Sequence, residues 1–207
     1  MAELLIVHLR VLCDSLPADT ELIELTGREA ISELFEFSCL ITMPNQTGVD
    51  PTEVIGSKID IVFENMPASG QTVELRRLHG LVAGCEDLLR SHDSRTYKLR
   101  IVPQLWMSTL VETLDIQQEI SIPDIVRKKL MELHFTEDSE FEFRLGGTYA
   151  DKEFTVQYKE SDLAFCSRLT EHLGISYFFE HRDGNDVVVF TDNSSGFKPI
   201  EGQDLVF

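Results

Sequence analysis

The stretch Phe154-Thr-Val-Gln-Tyr-Lys-Glu-Ser-Asp162-Leu-Ala-Phe-Cys-Ser-Arg-Leu-Thr-Glu-His-Leu-Gly174 changes its periodicity part-way, and that change decides how the chain is read. Phe154, Val156 and Tyr158 alternate with Thr155 and Gln157, the period-two pattern of a strand. At Ser161-Asp162 the pattern gives way to a side-chain oxygen and an acid, which suit the open N–H groups and positive dipole end of a helix. Leu163, Cys166, Leu169 and Leu173 then mark a buried helical side, and Gly174 supplies the left-handed residue that closes it.

Working outward, Phe141-Glu-Phe-Arg-Leu145 alternates in the same way and, across Gly146-Gly147 and a polar link, is expected to pair with Phe154–Tyr158. Downstream, Ile175 to Glu180 and Asp186 to Thr191 form a hairpin across His181-Arg-Asp-Gly-Asn185. Ser121-Ile-Pro-Asp124 repeats the helix-start chemistry, with proline just inside and an acid in the first turn. Ile122, Ile125, Val126, Met131 and Leu133 line the apolar face of a helix over Ile122 to Leu133. Leu105 to Thr113 is spaced for a short helix.

Before this point short alternating runs dominate: Leu4 to Leu9, Leu34 to Ile41, Ile59 to Phe63, Leu75 to Val82 and Tyr97 to Val102. Met43 to Gly48 and Met66 to Gly70 read as loops on turn chemistry. In Tyr97-Lys-Leu-Arg-Ile-Val102 the apolar Tyr97, Leu99 and Ile101 share one face while Lys98 and Arg100 face away, as in antiparallel sheets with one wet face. No internal repeat or low-complexity segment is apparent. The expectation is a mainly β chain with an α+β part: an antiparallel β-barrel over residues 1–105, then a segment over 106–207 with two helices and further strands.

The 207 residues, 43% hydrophobic, suffice to bury roughly 70% of the unfolded surface without staples. The formal charge of -18 repels phosphate backbones and anionic lipid, so nucleic acid is not an expected partner. Nothing approaches the ~20 apolar residues of a membrane span. His8 and Arg10 interrupt the first apolar run, so no signal peptide is expected. Cys13, Cys39, Cys85 and Cys166 are scattered and read as reduced core thiols.

Catalytic patterns are sparse. The six histidines, His8, His79, His92, His134, His172 and His181, lack the i, i+4 pairing of a helical zinc site, and no metal or cofactor is expected. His79 reads as a satisfied core or interface imidazole, and Glu137-Asp-Ser-Glu140 as a solvated acidic turn without the spacing of a calcium loop. No serine sits in a Gly-x-Ser-x-Gly elbow, and Cys166 falls on an apolar helix face that blunts its reactivity. Gly146-Gly147 lacks the lysine pattern of a phosphate loop. Glu160 and Asp162, flanking Ser161, invite an acid–base reading. Acids drawn to a helix N-terminus explain them more simply, so no catalytic residue is assigned.

The same string, Phe154 to Asp162 followed by Leu163, Phe165, Arg168-Leu169, Glu171, Leu173-Gly174-Ile175 and Tyr177 to His181, resembles the VgrG family of type VI secretion spike proteins. Further matching residues are Ile31 to Phe35 with Phe37, His79-Gly80 with Val82, Leu99 to Trp106, Ile122-Pro-Asp-Ile125, Phe141 to Leu145 and Thr191-Asp192, so the resemblance covers about residues 28–197. It implies a β-barrel of the phage tail-hub type, with 106–207 an incomplete part of a second hub barrel. It further implies a non-enzymatic scaffold that is a homotrimer at full length, caps an Hcp-like hexameric tube, and reaches tip and effector proteins through C-terminal regions absent here. Such a protein is assembled in the bacterial cytoplasm and ejected by the machine. A baseplate hub of a contractile phage or tailocin is the near alternative, and a tail-associated cell-wall hydrolase the remote one. On this reading Gln157, Tyr158, Glu160, Ser161, Asp162, Leu163, Phe165, Arg168, Leu169 and Gly174 specify the fold.

Overall fold

The structure, a computed structural model, describes residues 7–65 and 72–198. The start of the first expected strand, Leu4 to Ile6, the Met66 to Gly70 loop and the terminal Leu205-Val-Phe207 lie outside the described residues. The chain divides into two units: Met1–Met107 with Phe179–Val187, and Ser108–Phe178 with Val188–Phe207.

The first unit is a curled antiparallel sheet. Its strands are β1 (Val7–Leu12), β2 (Glu21–Arg28), β3 (Glu36–Pro44), β4 (Lys58–Asn65), β5 (Val73–Arg90) and β6 (Ser94–Val102), in the order β1-β4-β5-β6-β3-β2. Alternation does the sorting: Phe37, Cys39, Ile41 and Met43 of β3 are buried, and the ladder sets Cys39 opposite Leu99 and Ile41 opposite Tyr97. Register shifts at Leu22/Glu24, Phe63/Glu64, Val82/Gly84 and Asp87/Leu89 add the local twist that curls a sheet into a half-barrel. The one-turn helix α1 (Pro51–Val54), capped by Asp50, pushes Val54 into the core, and the fully buried Tyr97 donates its hydroxyl to Val49 O at 3.1 Å. The strand β2 has no counterpart among the sequence-expected strands, because this edge strand is mostly exposed and carries Glu21, Glu24 and Arg28.

The chain returns to this unit with Phe179 and His181. The Phe179 ring meets Phe35 edge-on at 5.1 Å. His181 Nδ1 accepts the His79 backbone N–H at 2.9 Å, and its Nε2 lies 3.2 Å from Glu29 Oε1. His79 is buried, with Nδ1 2.7 Å from Asp60 Oδ1, the satisfied imidazole that its strand context suggests.

The second unit contains β7 (Glu112–Ile120), α2 (Ile122–Glu132), β8 (Phe141–Arg144), β9 (Lys152–Ser161), α3 (Asp162–His172), and parts of β10 (Ser176–Arg182) and β11 (Asn185–Thr191). Both helices begin at the expected serines. Three expectations fail. The helix over Leu105 to Thr113 is a 3₁₀ segment over Gln104–Thr109, after which Thr113, Leu114 and Ile116 belong to β7. The expected pair of β8 with β9 does not form: β8 runs parallel to β11, where Phe143 stacks on Phe190 at 5.1 Å, and β9 pairs with β7. On α2, Met131 is exposed and Lys129 is buried in its place. The hairpin from β10 to β11 turns at Asp183-Gly184, both with positive φ, as a two-residue turn of matching twist requires.

The structure also reveals an internal repeat that the sequence hides. Adding 40 to residue numbers carries β7 and α2 onto β9 and α3. Ser121 and Ser161 cap 11-residue helices, Glu119 and Lys159 both have φ 49°, and His134 (φ 66°) and Gly174 (φ 70°) follow the helix ends. Gln117 and Gln157 are the buried glutamines of the two strands. The ladder pairs Leu114 with Tyr158, Ile116 with Val156 and Gln118 with Phe154, which places a local twofold axis between Ile116 and Val156. Only Gln117/Gln157, Ser121/Ser161 and Leu133/Leu173 are identical across this span, too little for sequence to disclose the repeat.

Candidate functional site

The sequence-expected signature residues lie where β9 runs into α3. Ser161 Oγ accepts the Ala164 N–H at 3.2 Å and so satisfies an open end of the helix. Glu160 accepts from Arg168 Nη2 at 2.5 Å and Nε at 3.2 Å. That hydrogen bond holds the Glu160 carboxyl below its ordinary range and raises the guanidinium above its own. Arg168 also donates to Val156 O at 3.2 Å and lies 5.5 Å from the Phe165 ring centroid, tying the helix to the strand that precedes it. Phe165 and Leu169 are buried, Leu163 is half-buried, and Tyr158 is 64% exposed. Gly174 takes φ 70° at the helix end, and nothing lies within 4 Å of where a Cβ would stand.

Beneath the ribbon of β7 and β9 sits a buried polar cluster. Gln157 donates from Nε2 to Asp162 Oδ1 at 2.9 Å and to Glu160 O at 3.1 Å, while its Oε1 has no hydrogen-bond partner. Lys129 from α2, whose side chain is 5% exposed, places Nζ 3.3 Å from both Asp162 Oδ1 and Asp115 Oδ2. Thr113 Oγ1 reaches Asp162 at 3.4 Å, Lys128 Nζ donates to Gln117 Oε1 at 2.9 Å, and Gln117 Nε2 donates to Asp115. Burial alone lowers the Lys129 pKa, but the Asp162 charge and the hydrogen bonds of Asp162 and Asp115 outweigh it and raise the ammonium above its ordinary value. Burial likewise opposes ionisation of Asp115, and its bond to Lys129 leads the effects that bring that carboxyl below its usual range. Asp115, Gln117 and Lys129 were not legible as site residues. Their one sequence signal is the faint Gln117/Gln157 correspondence.

Both carboxylates of the acid–base reading are thus engaged internally, Glu160 by Arg168 and Asp162 by Lys129, Gln157 and Thr113. Burial pushes the Cys166 thiol up to about 12, which keeps it protonated at neutral pH. The Gly146 and Gly147 N–H groups point at the Asp192 carboxylate, at 2.9 and 2.7 Å, and Tyr149 Oη adds a bond at 2.8 Å. These donors, the Gly146 N–H first, hold Asp192 far below the usual carboxylate range. The Glu137-Asp-Ser-Glu140 turn is stitched by Arg127 to Glu137 and by the Thr136 N–H to Glu140. Among the described residues no three His, Cys, Asp or Glu side chains converge as a metal site, and no helix is long and apolar enough to cross a membrane.

The opposite face of the ribbon is apolar. Leu114, Ile116, Phe154, Val156 and Tyr158 share it, each 40–66% exposed. The ribbon therefore turns its polar side to the two helices and its apolar side outward, inverting the usual order of a surface sheet.

The sequence profile of the phage tail baseplate hub (GPD) family matches residues 28–207. The chain belongs to this family. Hub relatives include the type VI secretion system spike proteins VgrG1c and VgrG4b of Pseudomonas aeruginosa, each 30% identical, over 85% and 92% of this chain respectively. The chain spans 23% of the length of VgrG1c and 22% of VgrG4b. Among solved structures, the E. coli c3393 protein, described as a type VI secretion component similar to the T4 tail proteins gp27 and gp5, superposes with a TM-score of 0.80. It is 28% identical, and the match covers 92% of this chain and 51% of that one. The 43 kDa tail protein of prophage MuSo2 from Shewanella oneidensis shares the fold at 11% identity, with a TM-score of 0.57 over 89% of this chain and 55% of that one. The chain is accordingly a mainly β, VgrG-like hub chain, and the relatives named above are spike and tail proteins.

Proposed function

We propose that this chain is the hub portion of a type VI secretion spike, that it works as a trimer, and that it seats on an Hcp-like hexameric tube so that contraction drives spike and effectors outward. The carrying observation is 30% identity to VgrG1c across 85% of the chain, together with the fold match to c3393. In this reading residues 1–105 form the first hub barrel, 106–207 contribute to the second, and the machine ejects the protein from the cell. The phage-tail alternative rests on the baseplate-hub family profile and on a fold match at 11% identity. A scaffold role needs rigid joints rather than a reactive centre, and the residues around Ser161 supply one: a capped helix, an ion pair back to the strand, and a buried charge cluster. The hydrolase reading would require Glu160 or Asp162 to be released from its internal partners.

The test is reconstitution with purified Hcp-like hexamers, followed by light scattering and electron microscopy. Trimers seated on the hexamer face are expected. Tube rings left uncapped at tens of micromolar protein, roughly the range where a weak specific contact is seen, overturn the reading.

A further inference from the structure

Strand β5 outruns one of its neighbours. β6 ends at Val102, paired with Leu81, so the part of β5 before Leu81 keeps the β4 ladder on one side and has no β6 ladder on the other. A backbone N–H turned to that open edge must find its acceptor elsewhere. At His79 the acceptor is a side chain: His181 Nδ1, 2.9 Å away, on the stretch Phe179–Val187 that returns to the first unit.

An imidazole nitrogen accepts a hydrogen bond only while it carries no proton, so this contact demands a neutral His181 with its single proton on Nε2. The surroundings are built for that tautomer. Nε2 lies 3.2 Å from Glu29 Oε1, and Arg76 Nη2 donates to Glu29 Oε2 at 2.6 Å. The bond from His181, opposed by burial and helped by Arg76, holds the Glu29 carboxyl below its ordinary range, so it remains an acceptor and claims the Nε2 proton. The His181 side chain is 6% exposed and its ring lies 5.2 Å from that of Phe35.

The other charged groups around this stretch are engaged. His79 Nδ1 lies 2.7 Å from Asp60 Oδ1, and Arg77 joins Asp60 at 3.0 Å and Glu74 at 2.7 Å. A proton added to His79 leaves its bond to Asp60 in place, because Nδ1 donates to the carboxylate in either state. Lys58 donates to Asn185 Oδ1, Glu180 pairs with Arg182, and Asp183 and Asp186 are turned to Arg182 and to the Gln104 N–H. A second proton on His181 has no such accommodation. The His79 N–H loses its acceptor, and two N–H donors meet at hydrogen-bond distance in a buried contact. Glu29 attracts the added charge, but Arg76 already offsets that carboxylate.

We infer that His181 is a pH-sensitive latch: when neutral it fastens Phe179–Val187 to the open edge of β5, and when protonated it releases that stretch, drawing Phe179 away from Phe35. The docked form carries no proton on Nδ1 and the released form takes one up. Docking is therefore at full strength above the imidazole range and weakens as pH falls through it. One linked proton sets the steepness at about tenfold in the docking equilibrium per pH unit. The latch involves no tube contact, so it stands apart from the hub reading.

The test follows the purified 207-residue chain by NMR from pH 8 to pH 5, the interval in which imidazoles titrate. Long-range proton–nitrogen spectra of the histidine rings are expected to show a bare His181 Nδ1 at pH 8. Amide exchange, corrected for its intrinsic pH dependence, is expected to show the His79 N–H losing protection by about tenfold or more as His181 takes up its proton. The Cys39 amide, in the middle of the sheet, is expected to keep its own. His181→Asn sets a carbonyl oxygen where Nδ1 stands and cannot be protonated. Once circular dichroism has verified its fold, its His79 protection is expected to be flat across the interval. A protonated Nδ1 at pH 8, His79 protection unchanged at pH 5, or a loss shared equally by Cys39 overturns the inference. So does a folded His181→Asn that retains the wild-type pH dependence, and if that variant does not fold the wild-type spectra decide alone.

Discussion

Replacing Asp162 with asparagine keeps the shape of the side chain and removes its charge, so it isolates what the buried cluster contributes. In the wild type, Lys129 Nζ is held between Asp162 and Asp115, each at 3.3 Å, with Glu132 at 3.7 Å. Removing one partner of a buried pair costs about 3–5 kcal/mol, because the other charge is left uncompensated. Asp115 and Glu132 remain, so the lower end, about 3 kcal/mol, applies. Asp162 also occupies the first turn of α3, where a negative charge adds about 0.3–1 kcal/mol. With a urea m-value of about 2 kcal/mol/M, the midpoint falls by roughly 1.5 M. The assay is equilibrium urea unfolding at pH 7, followed by circular dichroism. The double variant Asp162→Asn with Lys129→Met removes both members of the pair and is expected to recover a large part of the loss. A single-variant shift below about 0.5 M, or a double variant as unstable as the sum of the two single ones, refutes the reasoning.

Three further outcomes follow from local geometry. Ser161→Ala removes the acceptor for the Ala164 N–H and is expected to cost about 1 kcal/mol in thermal or urea unfolding, with little change in helix content at 25 °C. Gly174→Ala meets no atom within 4 Å but must hold φ 70°, so a loss of about 1 kcal/mol from backbone conformation alone is expected from the same melts, and a neutral result would mean the helix end can rearrange. Asp192 has a depressed pKa, so its stabilising contribution is present above the ordinary value of 3.8 and is lost as pH falls through the lower folded value. Asp192→Asn is therefore expected to melt below the wild type at pH 7 and to converge with it on acidification, as measured by melts from pH 7 to pH 2.

Most of the architecture was legible because alternation and capping are local properties. The serines at 121 and 161 announced both helices, and the buried halves of β3, β4, β5 and β6 announced the sheet. What was not legible is non-local. The parallel pairing of β8 with β11 is chosen by the stacking of Phe143 on Phe190, side chains 47 positions apart, against a nearer strand that alternates equally well. The strand β7 was missed because Leu110 and Val111 beside Trp106 mimic helical spacing, while its own alternation places leucine and isoleucine outward. Lys129 carried no signal of burial in the sequence; only the arrival of Asp115 from β7 and Asp162 from the start of α3 makes its burial tolerable. The helix start at Ser161 was legible, but Gln157 and Arg168 reach across the strand–helix boundary, to Asp162 and to Val156 O, in a way that spacing alone does not fix.

The return of Phe179–Val187 to the first unit has a bearing on how such a protein can be cut and recombined. A crossover near residue 107 looks natural in a linear map, yet it would sever the first sheet from Phe179, which caps Phe35, and from His181, which accepts the His79 N–H. Chimaeras spliced there would inherit a half-barrel lacking its stopper, supplied instead by whatever hairpin the foreign partner carries. Exchange among relatives is therefore expected to keep both units together through the end of β11 at Thr191, so that the units of shape and the units of inheritance in this chain differ.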